Sequence, residues 1–321
     1  MRKEDDMWSY VTRRLLISMP TLLGVTVIMF TLLQITPGDP LNTLLPPDAS
    51  QADRQELAHR LGLDRPVYVQ YFIWLGNAAQ LDFGRSLVRR TPVSDELWLA
   101  LKNTFVLAVA SASVAFLVGL TLGTVAAFYR GKWPDRLASA VAAMGISVPN
   151  YWVVILLITV FSVQLNMLPS HGMRTIGTDN SFMDLLKHMI IPVIALSLIT
   201  MGVLTRMMRA SVLEILNQEF VVSLRAKGLR RAVLTKHIVK NAAPPVVTLM
   251  GLQFGNMLGG SVLVESIVNW PGAGGLLNLA IQQRDIPIIQ ATVLVLACGF
   301  VFLNLAVDIF HTVLDPRVRR A

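Results

Sequence analysis

The chain has 321 residues, of which 54% are hydrophobic and only 15% are charged. Soluble domains carry about 25% charged residues, so this composition excludes an ordinary soluble enzyme or binding domain. The formal net charge is +8, but the bases are split between apolar blocks, which argues against a nucleic-acid partner. The single cysteine, Cys298, excludes an internal disulfide and a cysteine-based zinc site. These features predict an integral membrane protein.

Six stretches are apolar enough to cross a bilayer, which requires about 20 residues per helix. They predict an all-α protein with six transmembrane helices, at residues 15–38, 103–129, 137–165, 188–208, 241–264 and 286–310. The third contains Pro149, and we interpret it as one kinked span because two spans and a turn would need more residues. The first is too long for a signal-peptide core and no cleavage site follows it, so it is predicted to remain.

The charges of the connecting segments predict the orientation. The N-terminus 1–14, the connections 130–136 and 209–240 with the nearby Arg206, and the C-terminus 311–321 together hold 18 of the 28 Lys and Arg residues. The other side has the segments 39–102, 166–187 and 265–285. Because cytoplasmic segments are enriched in Lys and Arg, both termini are predicted to be cytoplasmic.

Two connecting segments are long enough to have structure of their own. In the external segment 39–102, helical patterns at Asp53–Leu61 and Pro66–Leu81, together with many aromatic residues, favour an ordered cap over a passive linker. In the cytoplasmic segment 209–240, attraction to lipid headgroups explains part of the basic charge. A short helical run that ends at Gly228 remains unexplained by lipid, and such a helix can dock on a partner and move the membrane helices.

That cytoplasmic run resembles a known loop. Binding-protein-dependent ABC importers of the type I fold have E-A-A, three residues, Gly, nine residues and Ile. Here Gly228 and Ile238 are in register, but the E-A-A positions are Val222, Ser223 and Leu224, so the acidic residue is absent. The sequence R-A-K-G-L at 225–229 and K-N-A-A-P at 240–244 resembles the peptide subfamily more closely.

Further runs in the same order resemble that subfamily over nearly the whole chain. They are T-P-G-D-P at 36–40, L-G-L-D-R-P at 61–66, D-F-G-R-S at 82–86, E-S-I-V-N-W-P-G-A-G-G at 265–275 and R-D-I-P at 284–287. The chain is similar to the B-type permease subunit of dipeptide, oligopeptide or nickel ABC importers. The long segment after the first helix favours the B-type over the C-type subunit.

The resemblance implies the type I permease fold in the bacterial cytoplasmic (inner) membrane, surrounded by lipid. It also implies a second, C-type permease subunit, two cytoplasmic ABC ATPase subunits and an external solute-binding protein. The sequence contains no G-x-x-x-x-G-K-[ST] phosphate loop, so the chain is expected to be a transport subunit rather than an enzyme, without a cofactor of its own. ATP and Mg would bind to the partner ATPases.

The expected activity is ATP-driven import of di- or oligopeptides by alternating access. Import of a nickel or other metal chelate, or of a glycoside, through the same architecture remains an alternative. An ion-coupled secondary carrier is the rival from another class. It would need charges in the middle of its spans or inverted repeats, and neither is found here.

The resemblance and the residue patterns together give three sets of candidate residues and no catalytic or metal site. The ATPase-coupling loop comprises Glu219, Val222, Ser223, Leu224, Arg225, Ala226, Lys227, Gly228 and Ile238. Candidates for the translocation pathway are Ser147, Pro149, Asn150, Met250, Gln253, Asn256 and Met257. The amides of Gln253 and Asn256 could contact a peptide or form interhelical hydrogen bonds. Candidates for external docking are Trp270, Pro271, Gly272, Arg284 and Asp285.

Two further expectations concern packing. Small residues recur every four positions in the second helix, from Ser111 to Ala127, and in the fifth, at Gly251, Gly255 and Gly259. Such stripes let helix backbones approach closely in lipid, and we expect packing within one subunit. Asp308, near the end of the sixth helix, is expected to snorkel towards the membrane surface or to pair with a base such as Arg317.

Overall fold

The computed structural model describes residues 2–35, 45, 49–60, 62–175, 177 and 181–314, with the side chains of 2–11, 13, 15, 60, 308 and 310–314 left aside. The T-P-G-D-P run at 36–40, Leu61, Arg317 and the side chain of Asp308 therefore lie outside the description. Within it, the chain is helical apart from turns and an isolated bridge between Arg85 and Pro92.

Eleven helices follow one another in the described part of the chain. They are α1 (Arg2–Ile35), α2 (Gln51–Arg60), α3 (Val67–Ala79), α4 (Val93–Phe128), α5 (Trp133–Ser147), α6 (Asn150–Leu157, continued by π-helical Ile158–Gln164), α7 (Phe182–Leu216), α8 (Glu219–Ala226), α9 (Arg231–Ile267), α10 (Ala273–Gln283) and α11 (Ile286–Leu314).

Five of these helices, α1, α4, α7, α9 and α11, are long and apolar enough to cross a membrane. A sixth span is present if α5 and α6 are counted together, although they are bent by 100° at the break between Ser147 and Asn150. Pro149 lacks an N–H and disfavours helical geometry at Val148, and both residues are extended. This bend is much sharper than the kink that the sequence predicted at Pro149. That the pair crosses the membrane once stays a prediction.

Several helices extend beyond the apolar runs that predicted them. Helix α4 begins at Val93 rather than near 103, and α9 begins at Arg231 rather than near 241. Charged residues end an apolar run, but they do not end a ladder of backbone hydrogen bonds. Helix α10 was not predicted, because the external connection 265–285 was expected to be a loop.

The chain divides into two compact units, Met1–Thr104 with Pro271–Val301 and Phe105–Trp270 with Phe302–Ala321. In the first, Phe83, Val93 and Leu97 pack with buried residues of α10 and α11. The helices expected in the segment 39–102 are present in this unit. Helix α3 packs on α1, and at this contact the hydroxyls of Tyr71 and Thr26 lie 2.9 Å apart.

The second unit is organised around α7. Helix α7 is the most deeply buried of the candidate spans. Glycines allow its backbone close contact with two neighbours, since a Cβ added at Gly123 of α4 would lie 2.6 Å from the Thr205 carbonyl oxygen and one at Gly145 of α5 would lie 2.7 Å from that of Leu198. The structure therefore uses part of the small-residue stripe of α4 for packing within the chain.

Candidate functional site

The short helix expected before Gly228 is present as α8. Glu219 stands in its first turn and Arg225 in its last, so both charges complement the helix dipole. The Gly228 N–H donates to the Arg225 carbonyl at 3.0 Å, and Gly228 has a φ of 72°. Glycine adopts this left-handed conformation without the steric penalty that other residues pay, which explains why the helix ends here.

Helix α8 is anchored by one buried residue that the sequence did not single out. Val221 is fully buried in an apolar cluster with Met208 and Val212 of α7 and Ile238 of α9. Val222, which the loop pattern selected, is 63% exposed. The cluster therefore brings side chains of α8 together with those of two long helices, α7 and α9. The period of the helix could have indicated Val221, because it places Val221 and the half-buried Leu224 on the same side.

The other coupling candidates divide into an exposed surface and a buried support. Ile238, the residue in register with Gly228, belongs to the buried cluster rather than to the surface. The exposed members form a small polar and basic surface: Glu219, Val222, Ser223, Arg225, Ala226, Lys227 and Gly228. This surface is the part of the loop that could contact another protein.

An ion pair that the sequence did not predict connects α5 to α7. The Arg209 guanidinium donates through Nε to Oδ1 of Asp135 at 2.6 Å and through Nη2 to Oδ2 at 2.9 Å. Asp135 is buried and also accepts the Gly131 N–H at 2.8 Å. It lies within the predicted cytoplasmic connection 130–136, and the hydrogen bonds from Arg209 hold the pKa of its carboxyl well below its usual range. The pair is therefore charged at neutral pH.

At the break between α5 and α6, the polar side chains of the pathway candidates form hydrogen bonds with backbone groups close in sequence. The Ser147 hydroxyl donates to the Ala143 carbonyl at 2.8 Å, and Asn150 Oδ1 accepts the Tyr151 N–H at 2.8 Å. Ser147 and Pro149 are exposed, whereas Asn150 is half-buried. The break thus presents a polar surface next to two extended residues.

The pathway candidates on α9 do not form one surface. Asn256 donates to Gln253 Oε1 at 3.2 Å within the same helix, and Asn256 is exposed. Met257 is buried against Ala112, Ala115 and Met201, so its side chain is a packing residue here. Met250 instead lines an apolar cavity of about 380 Å³ between α4, α7 and α9.

The external docking candidates are mostly buried. Trp270 is 1% exposed in the core of the second unit, and Gly272 and Asp285 are buried as well. Pro271 and Arg284 are exposed. Only these last two candidates therefore present exposed side chains. The backbone N–H of Trp270 donates to the Glu265 carbonyl at 2.8 Å, at the end of α9.

Asp285 connects two of the sequence runs that carried the resemblance. Its carboxylate accepts the Ser86 hydroxyl and the Leu87 N–H, the latter at 3.2 Å. Ser86 belongs to the D-F-G-R-S run and is also buried. The two runs are far apart in sequence and meet in the fold, which the sequence alone did not indicate.

The chain is similar to known proteins over nearly its whole length. Residues 119–320 match the family described as binding-protein-dependent transport system inner membrane component, and residues 7–108 match its N-terminal counterpart. The oligopeptide transport system permease protein AppB of Bacillus subtilis (strain 168) is 39% identical over 97% of this chain and 99% of its own. The glutathione transport system permease protein GsiC of Escherichia coli (strain K12) is 40% identical over 98% and 99%.

A solved structure supports the fold. The MetNI methionine ABC transporter, in an inward-facing conformation, has a chain that matches with a TM-score of 0.53 and 21% identity. The match covers 68% of this chain and 96% of that one. At this identity the similarity concerns the arrangement of the helices.

Proposed function

The chain belongs to the family of inner membrane components of binding-protein-dependent transport systems, and we propose that it is the permease subunit of an ATP-driven peptide importer. It is a multi-pass inner-membrane protein, and about 40% identity to peptide and glutathione permeases over nearly its full length supports a peptide substrate. Di- and oligopeptides and glutathione are the proposed solutes. Metal chelates and glycosides are the alternatives.

The proposed partners follow from the same family. They are a second permease subunit, two cytoplasmic ATPase subunits that bind ATP and Mg, and an external solute-binding protein. The exposed surface of α8, from Glu219 to Gly228, is the proposed docking site for an ATPase. Pro271 and Arg284 are the exposed positions proposed for contact with the binding protein.

The coupling role proposed for α8 depends on one observation, the anchoring of this helix. A docking helix can drive transport only if its displacement changes the membrane helices. Val221 is proposed to provide that connection, since it is buried in the same apolar cluster as side chains of α7 and α9. Closure of the ATPases would move α8, and α7 and α9 would follow. The polar break near Pro149 and the amides of Gln253 and Asn256 are proposed to line the pathway that these movements open.

The function can be tested by reconstitution. The permease is assembled with its partner subunits in proteoliposomes, with binding protein on one side and ATP on the other, and uptake of labelled dipeptide, oligopeptide, glutathione and nickel chelate is measured. Uptake of a peptide that requires both ATP and binding protein is expected. Uptake driven by an ion gradient without ATP would contradict the proposal, and saturable uptake of the nickel chelate alone would favour the alternative substrate.

The coupling role of the α8 surface has its own test at Gly228. Replacement by Val puts a β-branched side chain at a φ of 72°, which it adopts poorly, whereas Asn tolerates this region. Gly228→Val is therefore expected to reduce ATP-dependent uptake strongly, and Gly228→Asn to retain most of it. Equal uptake in the two variants would contradict the assignment of this turn to the docking surface.

A further inference from the structure

We propose that the ion pair between Asp135 and Arg209 locks α5 to α7, so that the two helices move as one body and transmit the displacement of α8 to the break near Pro149. This inference rests on the proposed function, because it assigns a route to the coupling described there. Asp135 and Arg209 are positioning residues in it, since neither needs to touch the solute or the nucleotide.

The geometry of the pair is that of a rigid connection. Nε and Nη2 of Arg209 each donate to a different oxygen of the Asp135 carboxylate, and this carboxylate also accepts the Gly131 N–H. A bidentate pair of this kind fixes orientation as well as distance. Asp135 is buried, so removing Arg209 would leave a charge without its partner and at a large cost. The pair thus holds the first turn of α5 against α7.

The same two helices are also in close contact towards the other end of α5. A Cβ at Gly202 of α7 would lie 2.5 Å from the Ala142 carbonyl oxygen, and one at Gly145 of α5 would lie 2.7 Å from the Leu198 carbonyl oxygen. Because the two backbones are this close, α5 and α7 have no room to slide along each other in small steps. Helix α5 is therefore fixed to α7 at both ends, by charge at Asp135 and by backbone contact near Gly145.

The two ends of this body meet the two proposed functional regions. Helix α7 ends at Leu216, and only Asn217 and Gln218 separate it from α8. Both of these residues donate backbone hydrogen bonds to the last turn of α7, to Glu214 and Ile215. Helix α5 ends at Ser147, next to the extended residues Val148 and Pro149. A displacement of α8 therefore reaches the break through α7 and α5, and the break is where the backbone can bend.

Neutralising the pair is expected to uncouple ATP hydrolysis from transport. In the complete reconstituted complex, Asp135→Asn should lower the number of peptides imported per ATP by about fivefold or more, within the usual range of coupling energies. The apparent affinity for binding protein should not change. The exchange of the two charges, Asp135→Arg with Arg209→Asp, should recover part of the lost coupling. Arg206→Gln, which removes an exposed base of the same helix, is the matched control and should behave as wild type.

A covalent replacement for the ion pair separates transmission from simple stability. Asp135→Cys with Arg209→Cys, made in a Cys298→Ser background, should be poorly coupled. Joining the two thiols with a short bifunctional methanethiosulfonate should restore import per ATP, because the helices then again move together. Failure of the cross-link to restore coupling, or loss of the residual import on cross-linking, would overturn the inference.

The wild-type complex distinguishes failure of this inference from failure of the proposed function. If wild type shows no ATP-dependent uptake, the proposed function is wrong and the inference falls with it. If wild type imports peptide and Asp135→Asn imports the same number of peptides per ATP, only the inference is overturned.

Discussion

Among the described residues, three acidic side chains are buried, and each is held by donors from its own unit. Asp135 is bound by Arg209, Glu265 accepts the Ser261 hydroxyl at 2.9 Å, and Asp285 accepts the Ser86 hydroxyl. A buried carboxylate is tolerated only when such bonds replace its hydration. In the sequence, Asp285 was an external docking candidate within the R-D-I-P run at 284–287. Its partners could not be foreseen, since they are about 200 positions away.

Asp285→Ala is predicted to loosen the loop that contains Ser86. The substitution leaves the Ser86 hydroxyl and the Leu87 N–H without their buried acceptor, which costs about 1–3 kcal/mol per group. Because Arg85 and Arg90 in this loop are exposed, trypsin should cleave there faster than in wild type. Limited proteolysis in membranes measures this. Asp95→Ala, at an exposed position, is the control, and equal cleavage of the two variants would contradict the structural role of Asp285.

Glycines inside the long helices differ in what surrounds them. A Cβ at Gly202 would lie 2.5 Å from a backbone oxygen of α5, whereas one at Gly260 would have nothing within 4 Å. Gly202→Ala is therefore predicted to lower stability by about 1–3 kcal/mol, as overpacking does. Gly260→Ala should leave stability unchanged or raise it slightly, because alanine favours helices. Thermal unfolding of the detergent-solubilised protein measures both, and similar melting temperatures would show that the close approach of α5 and α7 is absent.

At the level of elements, the apolar runs located the long helices well, because a span must satisfy its backbone within lipid. They did not locate helix ends, since α4 and α7 continue outside the apolar runs. Helix α10 was missed because glycines at 272, 274 and 275 make its first turn resemble a loop in the sequence. The π-helical turns that continue α6 have no simple sequence pattern. The short helix α8 was found from its terminal glycine and a family resemblance. Its buried anchor was not found, because burial depends on helices distant in sequence.

Adjacent valines of α8 are predicted to have separable roles. Val221 is fully buried, so Val221→Ser removes apolar contact worth about 1.5–3 kcal/mol and places a hydroxyl in the cluster. The melting temperature of the permease alone should fall. Val222 is exposed, so Val222→Ser should leave that temperature unchanged while it reduces the amount of ATPase that co-purifies. A lower melting temperature for Val222→Ser would contradict the assignment of Val222 to the exposed face of α8.

On the scale of the whole molecule, the distribution of charge has a consequence for coupling. Eight bases lie between Arg206 and Lys240, and lipid attraction was the simplest explanation for them. Arg209 is bound to Asp135 in the structure, so lipid attraction is not needed to explain it. Arg225 and Lys227 lie on the exposed surface of α8. The basic segment therefore contains one half of the ion pair proposed as a lock, as well as the exposed surface proposed for a partner. Both depend on this segment being cytoplasmic, which the positive-inside pattern predicts.

The topology can be tested at the bent pair α5 and α6, where the number of spans is decided. If the pair crosses the membrane once, its two ends lie on opposite sides. With single cysteines in a Cys298→Ser background, Met167→Cys should react with a membrane-impermeant maleimide added to intact cells, and Lys132→Cys only after permeabilisation. Both positions are exposed in the fold.

Exposed positions on the other connections provide the references. Arg284→Cys should be labelled from outside and Lys227→Cys only from inside, which places the α8 surface in the cytoplasm. A re-entrant pair would instead leave residues 132 and 167 on the same side, and the two termini would then lie on opposite sides of the membrane. If Lys132→Cys and Met167→Cys are labelled under the same condition, the pair does not cross the membrane, and the protein has five spans rather than six. It would also remove the break near Pro149 from a pathway that crosses the bilayer.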